Sequence, residues 1–241
     1  MPIRLTTTPV TGSNLYSMTT QVVRKISIRL QPDGFSYLNQ FFPIHPGADF
    51  NRRMEEAMLE ALETSDETDT DECICSVENL RFCLSPTDIE ASTAELMYRT
   101  TLPSAEQEET LVELKDDVRG IRFTFGIDSQ MYHFILRNWP NVEFTHPLFE
   151  LYRQWADSEE AKSNCMVADA SEKHLNLIVF ANGNLVLANR FEVNDTESAI
   201  YHMMNCWTQS GLDVLDDKLY LQTEVADIRQ EIGKYIKQCE S

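Results

Sequence analysis
The sequence predicts an α/β protein with mixed sheets (α+β) and helices packed on them. Two observations carry this expectation. Short apolar runs meet at turns, at Asp33-Gly34 and again at Asn182-Gly183 within NLIVFANGNLVLANRF (176–191), and residue pairs of this kind readily take the positive φ angles of tight hairpins. Each hairpin is then followed by helix, strand and helix signals in the same order, the alternation of a sheet with helices laid on it. Residue identities do not repeat, so duplication is inferred from element order alone.

In chain order, residues 22–30 (VVRKISIRL) alternate apolar and polar side chains over their second half and predict a strand, with 35–41 as its hairpin partner. Asp49 is placed to cap a helix whose Met54, Met58, Ala61 and Leu62 share one face, and 73–80 reads as a strand. Ser85-Pro86-Thr87-Asp88 has the pattern of an N-cap serine, a first-turn proline and an acid, which predicts a helix to about Arg99. A strand over 120–127, a helix capped by Asp128, a short strand over 142–145 and a helix from Pro147 follow. A strand over 165–169 then leads into the second hairpin. Asn194 and Glu197 suggest a capping box for a helix carrying Ala199, Ile200, Met203, Met204 and Trp207. Gly211 ends it, 218–222 is a strand, and Val225, Ile228, Ile232, Tyr235 and Ile236 mark a final amphipathic helix. The expected organisation is a loose tail over 1–20, a first unit over 21–103, an acidic connection over 104–117 and a second unit over 118–241.

Composition excludes several classes. At 241 residues the chain can bury one large core or two small ones, and a net charge of −19 repels the phosphate backbones that nucleic-acid binders must neutralise. The missing basic patch likewise argues against anionic membrane surfaces as a direct partner. The acidic run over 54–72 reads as a helix end and solvated loop rather than a cation site. Six cysteines are spread through the chain, several of them in apolar runs, and suggest a reducing cytoplasm; Cys73, Cys75 and Cys83 lack a second pair at zinc-like spacing and read as structural thiols. The five histidines are scattered, with no metalloprotease pair and no nucleophile elbow.

Four stretches, ISIRLQPDGFSY (26–37), ENLRFCLSPTDI (78–89), AELMYRTTLP (94–103) and 176–207 from NLIVF to MMNCW, resemble the DUF3822 family of uncharacterised Bacteroidetes proteins. The resemblance implies two ribonuclease-H-like subdomains in an actin-like ATPase arrangement, facing each other across a cleft. Active members of that superfamily hold phosphates with two glycine-containing hairpins, each with a nearby aspartate for the cation or its water. Carried onto this chain, the cleft candidates are Asp33 and Gly34 in the first half and Asp169 and Ser171 in the second. Both depart from the pattern: Arg29 stands where an aspartate is expected, and Ser171 brings a Cβ where glycine would let the backbone approach a phosphate. Asp33, Asp128 and Asp169 could also suggest a two-metal carboxylate cluster, but Asp128 reads as a helix cap and no basic track accompanies them. The expectation is a non-catalytic scaffold or interaction module with no cofactor and an unknown protein partner, bound at the cleft or at an exposed sheet edge. The alternative is an ATPase or nucleotide switch using ATP and magnesium.

Overall fold
The computed structural model describes residues 25–64, 72–103, 105 and 108–240. The tail over 1–20 and the most acidic part of the run over 54–72 lie outside the described residues. The elements are β1 (Lys25–Gln31), β2 (Gly34–Tyr37), β3 (Gln40–Pro43), α1 (Phe50–Thr64), β4 (Glu72–Val77), β5 (Phe82–Pro86), α2 (Ala91–Thr101), β6 (Glu109–Asp116), β7 (Ile121–Asp128), α3 (Ser129–Asn138) and β8 (Val142–Thr145). They continue with α4 (Pro147–Trp155), β9 (Cys165–Ala170), β10 (His174–Ala181), β11 (Asn184–Glu192), α5 (Thr196–Gln209), β12 (Lys218–Thr223), α6 (Ala226–Ile232) and β13 (Gln238–Glu240).

Two five-stranded mixed sheets dominate, ordered β3-β2-β1-β4-β8 and β11-β10-β9-β12-β13. Each is an antiparallel three-strand meander extended by two parallel strands on its first member, so the duplicated order expected from sequence is present. The copies correspond differently from the expected pairing. The counterpart of α6 is α3, not a helix from Pro86, because β5, α2, β6 and β7 are inserted between β4 and α3 and form their own sheet, β5-β7-β6.

The inserted sheet accounts for two corrections. Ser85 and Pro86 end β5 instead of starting a helix: Ser85 pairs with Arg122 and Pro86 with Ile121 of β7. Proline is tolerated at the end of an edge strand, where its missing N–H breaks no ladder. The expected acidic connection over 104–117 becomes, from Glu109, a strand paired with β7 along its whole length. Its acids are largely covered and paired: Glu109 meets Arg81, Asp116 meets Arg119 at 3.0 Å, and Glu113 lies 3.1 Å from Lys115. β8, inside the range expected for the second unit, pairs with β4 of the first sheet.

Smaller differences have local causes. The strand expected over 35–41 breaks at Leu38-Asn39, both at positive φ (48° and 67°). Helix α5 is capped by Asp195 with Ser198, one residue on from the expected Asn194 and Glu197. The last helix stops at Ile232, leaving Tyr235 exposed, and Gln238–Glu240 adds an edge strand too short to show a period.

Burial explains why the two hairpins look different in sequence. In β1, Ile26, Ile28 and Leu30 are buried under α1 and α3 while Ser27 and Arg29 are exposed, which gives the alternation. In β10, Leu175, Leu177 and Val179 pack towards α5 and α6, whereas Ile178 and Phe180 pack towards α4 and Phe123. A strand covered on both faces reads as a continuous apolar run. All six cysteines are free; Cys73 and Cys75 are buried, and burial pushes the Cys73 thiol up to about 12.

Candidate functional site
Asp33, Asp169 and Ser171 line one cleft of about 1020 Å³ between the two five-stranded sheets. Asp33 sits in the β1–β2 turn, and Asp169 ends β9 directly before the β9–β10 turn at Ser171. Gly34, the fourth candidate, is not a lining residue. A Cβ on it would lie 2.2 Å from the Phe42 carbonyl oxygen, so close packing of β2 on β3 requires the glycine. Asp128 is a helix cap, accepting from Met131 N–H at 3.1 Å.

Several backbone groups of both turns are already engaged. In the first, Pro32 has no N–H, and the Asp33 carbonyl accepts from Ile44 at 2.8 Å. In the second, Ser171 N–H donates to the His174 carbonyl at 2.8 Å, and His174 N–H donates back to Ser171 Oγ at 3.1 Å. Ser171 therefore closes its own turn. The carboxylates are engaged too. Lys173 Nζ donates to Asp33 Oδ2 at 2.7 Å, joining the two turns across the mouth, and this bond holds the Asp33 carboxyl below its ordinary pKa. Asp169 Oδ2 accepts from Asn176 Nδ2 at 3.2 Å.

The floor is made by residues that sequence reasoning missed. Glu78, just beyond β4, and Arg190 of β11 face each other at 3.3 Å with side-chain exposures of 9% and 2%. Arg190 also donates to Asn176 Oδ1 at 2.6 Å, and Glu78 accepts from Gln31 Nε2 at 3.3 Å. Arg29, the residue found where an aspartate was expected, lies 3.6 Å from Glu78. The chain Gln31–Glu78–Arg190–Asn176–Asp169 thus ties one sheet to the other. Burial lowers the pKa of Arg190, and burial with the nearby Arg190 charge lowers that of His174. Behind the floor, buried His146 contacts the Asn79 carbonyl through Nε2 at 3.1 Å and accepts from Leu148 N–H through Nδ1 at 3.2 Å. Nδ1 accepts, so the proton is on Nε2, and burial depresses the pKa of the ring to about 4.

The β10–β11 hairpin reaches the cleft through its stems, Asn176 and Arg190. Its Asn182-Gly183 turn lies at the other end of β10, roughly 25 Å away at strand rise, and is no phosphate element.

A sequence-family model for a protein of unknown function, DUF3822, matches residues 14–239. The chain belongs to this family. No curated protein matches it. Among solved structures it is similar to a Bacteroides thetaiotaomicron protein of actin-like ATPase fold and unknown function, with TM-score 0.75, 23% identity, and 94% of this chain and 93% of that one covered. It is more distantly similar to the cytoplasmic domain of EpsL, an inner-membrane component of the Vibrio cholerae type II secretion system (TM-score 0.46, 10% identity, 83% and 82% covered). A further match is to a PilM–PilN type IV pilus biogenesis complex (TM-score 0.43, 13% identity, 89% and 83% covered). The likeness to the Bacteroides protein shows that the fold of this DUF3822 chain is that of the actin-like ATPases. Among its described residues no helix is long and apolar enough to cross a membrane.

In this DUF3822 protein the cleft side chains compensate one another. A magnesium phosphate would need free carboxylates and free N–H donors at the two turns. Here Asp33 holds Lys173, Asp169 holds Asn176, and the buried cation Arg190 is matched by Glu78.

Proposed function
We propose that this DUF3822 protein is a cytoplasmic, non-catalytic actin-like interaction module that binds neither ATP nor magnesium. The observation that carries the reading is the Arg190–Glu78 pair, which spans the cleft floor with both charges buried. A ligand that reached the cleft floor would have to separate this pair, and an unpaired buried charge costs about 3–5 kcal/mol. Magnesium-ATP at millimolar concentration should leave the melting temperature unchanged, since only a ligand that binds the native state raises it. A saturable upward shift that Asp169→Ala abolishes would overturn the reading in favour of a nucleotide switch, the alternative motivated by Asp33 and Asp169 sharing one cleft.

With the cleft internally paired, the exposed sheet edge is the favoured contact for a protein partner. β6 and β8 are each the last strand of their sheet, and both border one groove of about 1020 Å³ lined by Leu111, Leu114, Ile74 and Phe144. An unpaired edge beside an apolar groove suits strand addition by an extended segment. A photoreactive residue at Glu143, on the groove, should capture a partner from native cytosol, while one at Gln222, in the cleft, should not. The opposite pattern would assign the partner to the cleft.

A further inference from the structure
A second groove, on the far lobe and independent of the reading above, runs between α5 and α6 with a volume of about 960 Å³. Its apolar lining comes from Ile200 and Met204, one helical turn apart on α5, and from two tyrosines that a folded surface would ordinarily cover more fully: Tyr201 is 66% exposed and Tyr235 55%. Four carboxylates rim it, from Asp195, Glu197, Asp227 and Glu231, and among the described residues no Lys, Arg or His lines it. The cleft and the edge groove differ: Arg29 and Lys173 line the cleft, and Arg29 and Arg153 line the edge groove. Asp195 keeps its negative charge, because it accepts from Ser198 N–H at 2.7 Å as the cap of α5. Glu231 is partly countered by Lys234 at 2.5 Å.

We propose that this groove docks a basic amphipathic helix of a partner protein. Both walls are helices, so there is no strand edge for an extended peptide to pair with, and the helix-in-groove mode remains. Size agrees: two turns of helix, a cylinder roughly 10 Å across and 11 Å long, occupy on the order of 850 Å³. Methionine adapts its shape to an incoming apolar face. The two exposed tyrosine rings offer their faces to Lys or Arg, with the rim carboxylates behind them. A phosphate-bearing ligand is repelled by the same rim. A second copy of this chain is disfavoured because each copy carries a net charge of −19.

The test uses the full chain and a fluorescein-labelled fifteen-residue Leu/Lys amphipathic peptide as probe, with Kd read by anisotropy near physiological salt. Two groove variants are compared, Tyr201→Ser with Tyr235→Ser, which leaves the charge unchanged, and Glu197→Gln with Asp227→Asn. The control, Asp88→Asn with Glu90→Gln, removes the same two charges at exposed positions before α2. Each groove pair should raise Kd about tenfold or more and the control pair should not, as expected when a few central contacts carry binding. Circular dichroism and melting temperature establish that the variants are folded. An unchanged Kd in the tyrosine pair, or equal weakening in the control, reduces the binding to bulk charge attraction and overturns the proposal. So does a self-associated protein in sedimentation that the peptide dissociates, which would give the groove to a second copy.

Discussion
The Arg190–Glu78 pair at the floor of the cleft and the Lys173–Asp33 pair at its mouth join the same two sheets, yet their side-chain exposures are 2% and 9% against 68% and 50%. The mouth pair is the shorter, at 2.7 Å against 3.3 Å. Distance alone would rank it the stronger. Burial reverses that order, because an exposed pair exchanges contacts with water at little gain, whereas a buried charge deprived of its partner has nowhere to be solvated. The floor pair therefore resists opening of the cleft, and the mouth pair adjusts local charge.

The most direct way to break this ranking is Arg190→Ala. It leaves buried Glu78 with only half-exposed Arg29 and Gln31 as partners and Asn176 Oδ1 without its donor, and should cost up to about 3–5 kcal/mol by urea unfolding. Arg190→Met with Glu78→Leu should recover most of that loss, because no buried charge is then left unpaired and Arg29, which also loses Glu78, is solvated. A single variant as stable as wild type would mean that the floor pair does not hold the sheets.

Gly34→Ala comes next and tests whether the turn carrying Asp33 is fixed by its own packing. The added Cβ meets backbone, 2.2 Å from the Phe42 carbonyl oxygen, at φ +153°, so the strand pair must shift, at a cost of about 2 kcal/mol or more. Gly183→Ala, in the hairpin turn remote from the cleft, has no neighbour within 4 Å at φ +82° and should cost only the left-handed strain of about 1 kcal/mol. Equal costs would remove the packing account of Gly34.

His146 sharpens the comparison through pH. Its folded pKa is lowered to about 4 by burial, below the usual 6.5. The unfolded chain therefore takes up the proton first as pH falls. The stability is fully present above about pH 6.5 and is lost progressively towards pH 4. His146→Asn can still accept from Leu148 N–H but does not titrate, so its urea midpoint should vary less than that of wild type between pH 7.5 and 4.5. An identical pH profile in the two proteins would place the acid sensitivity elsewhere.

The parts of this fold that were legible in sequence are those with a local chemical signature. Asn182-Gly183, both at positive φ, makes its turn, and Asp128 caps its helix. The parts that were not legible depend on distant partners. Ser85-Pro86 has the chemistry of a helix start and is instead held in a strand by β7. β6 is acidic because its carboxylates are held by arginines, Glu109 by Arg81 and Asp116 by Arg119, and such a strand resembles a loop until those partners and β7 are known. The candidate site divides the same way: Asp33, Asp169 and Ser171 reach the expected cleft, while Gly34 serves β3 packing. Arg190 had no local signal, since its meaning depends on Glu78, 112 residues earlier in the chain.

The smallest expected effect belongs to the mouth pair. Lys173→Ala removes an exposed ammonium, and its urea midpoint should stay within error of wild type, as exposed pairs usually allow. The charge effect should nevertheless be visible on Asp33. The hydrogen bond from Lys173 is the largest cause lowering that carboxyl, so in a carbon-detected NMR titration Asp33 of the wild type should titrate below the ordinary aspartate value and rise towards it in the variant. The small stabilisation from this pair is present above the unfolded aspartate value and disappears as pH falls through the lowered folded one. A marked loss of stability in Lys173→Ala would mean that the mouth, and not only the floor, holds the lobes together, and the burial argument would then fail for this cleft.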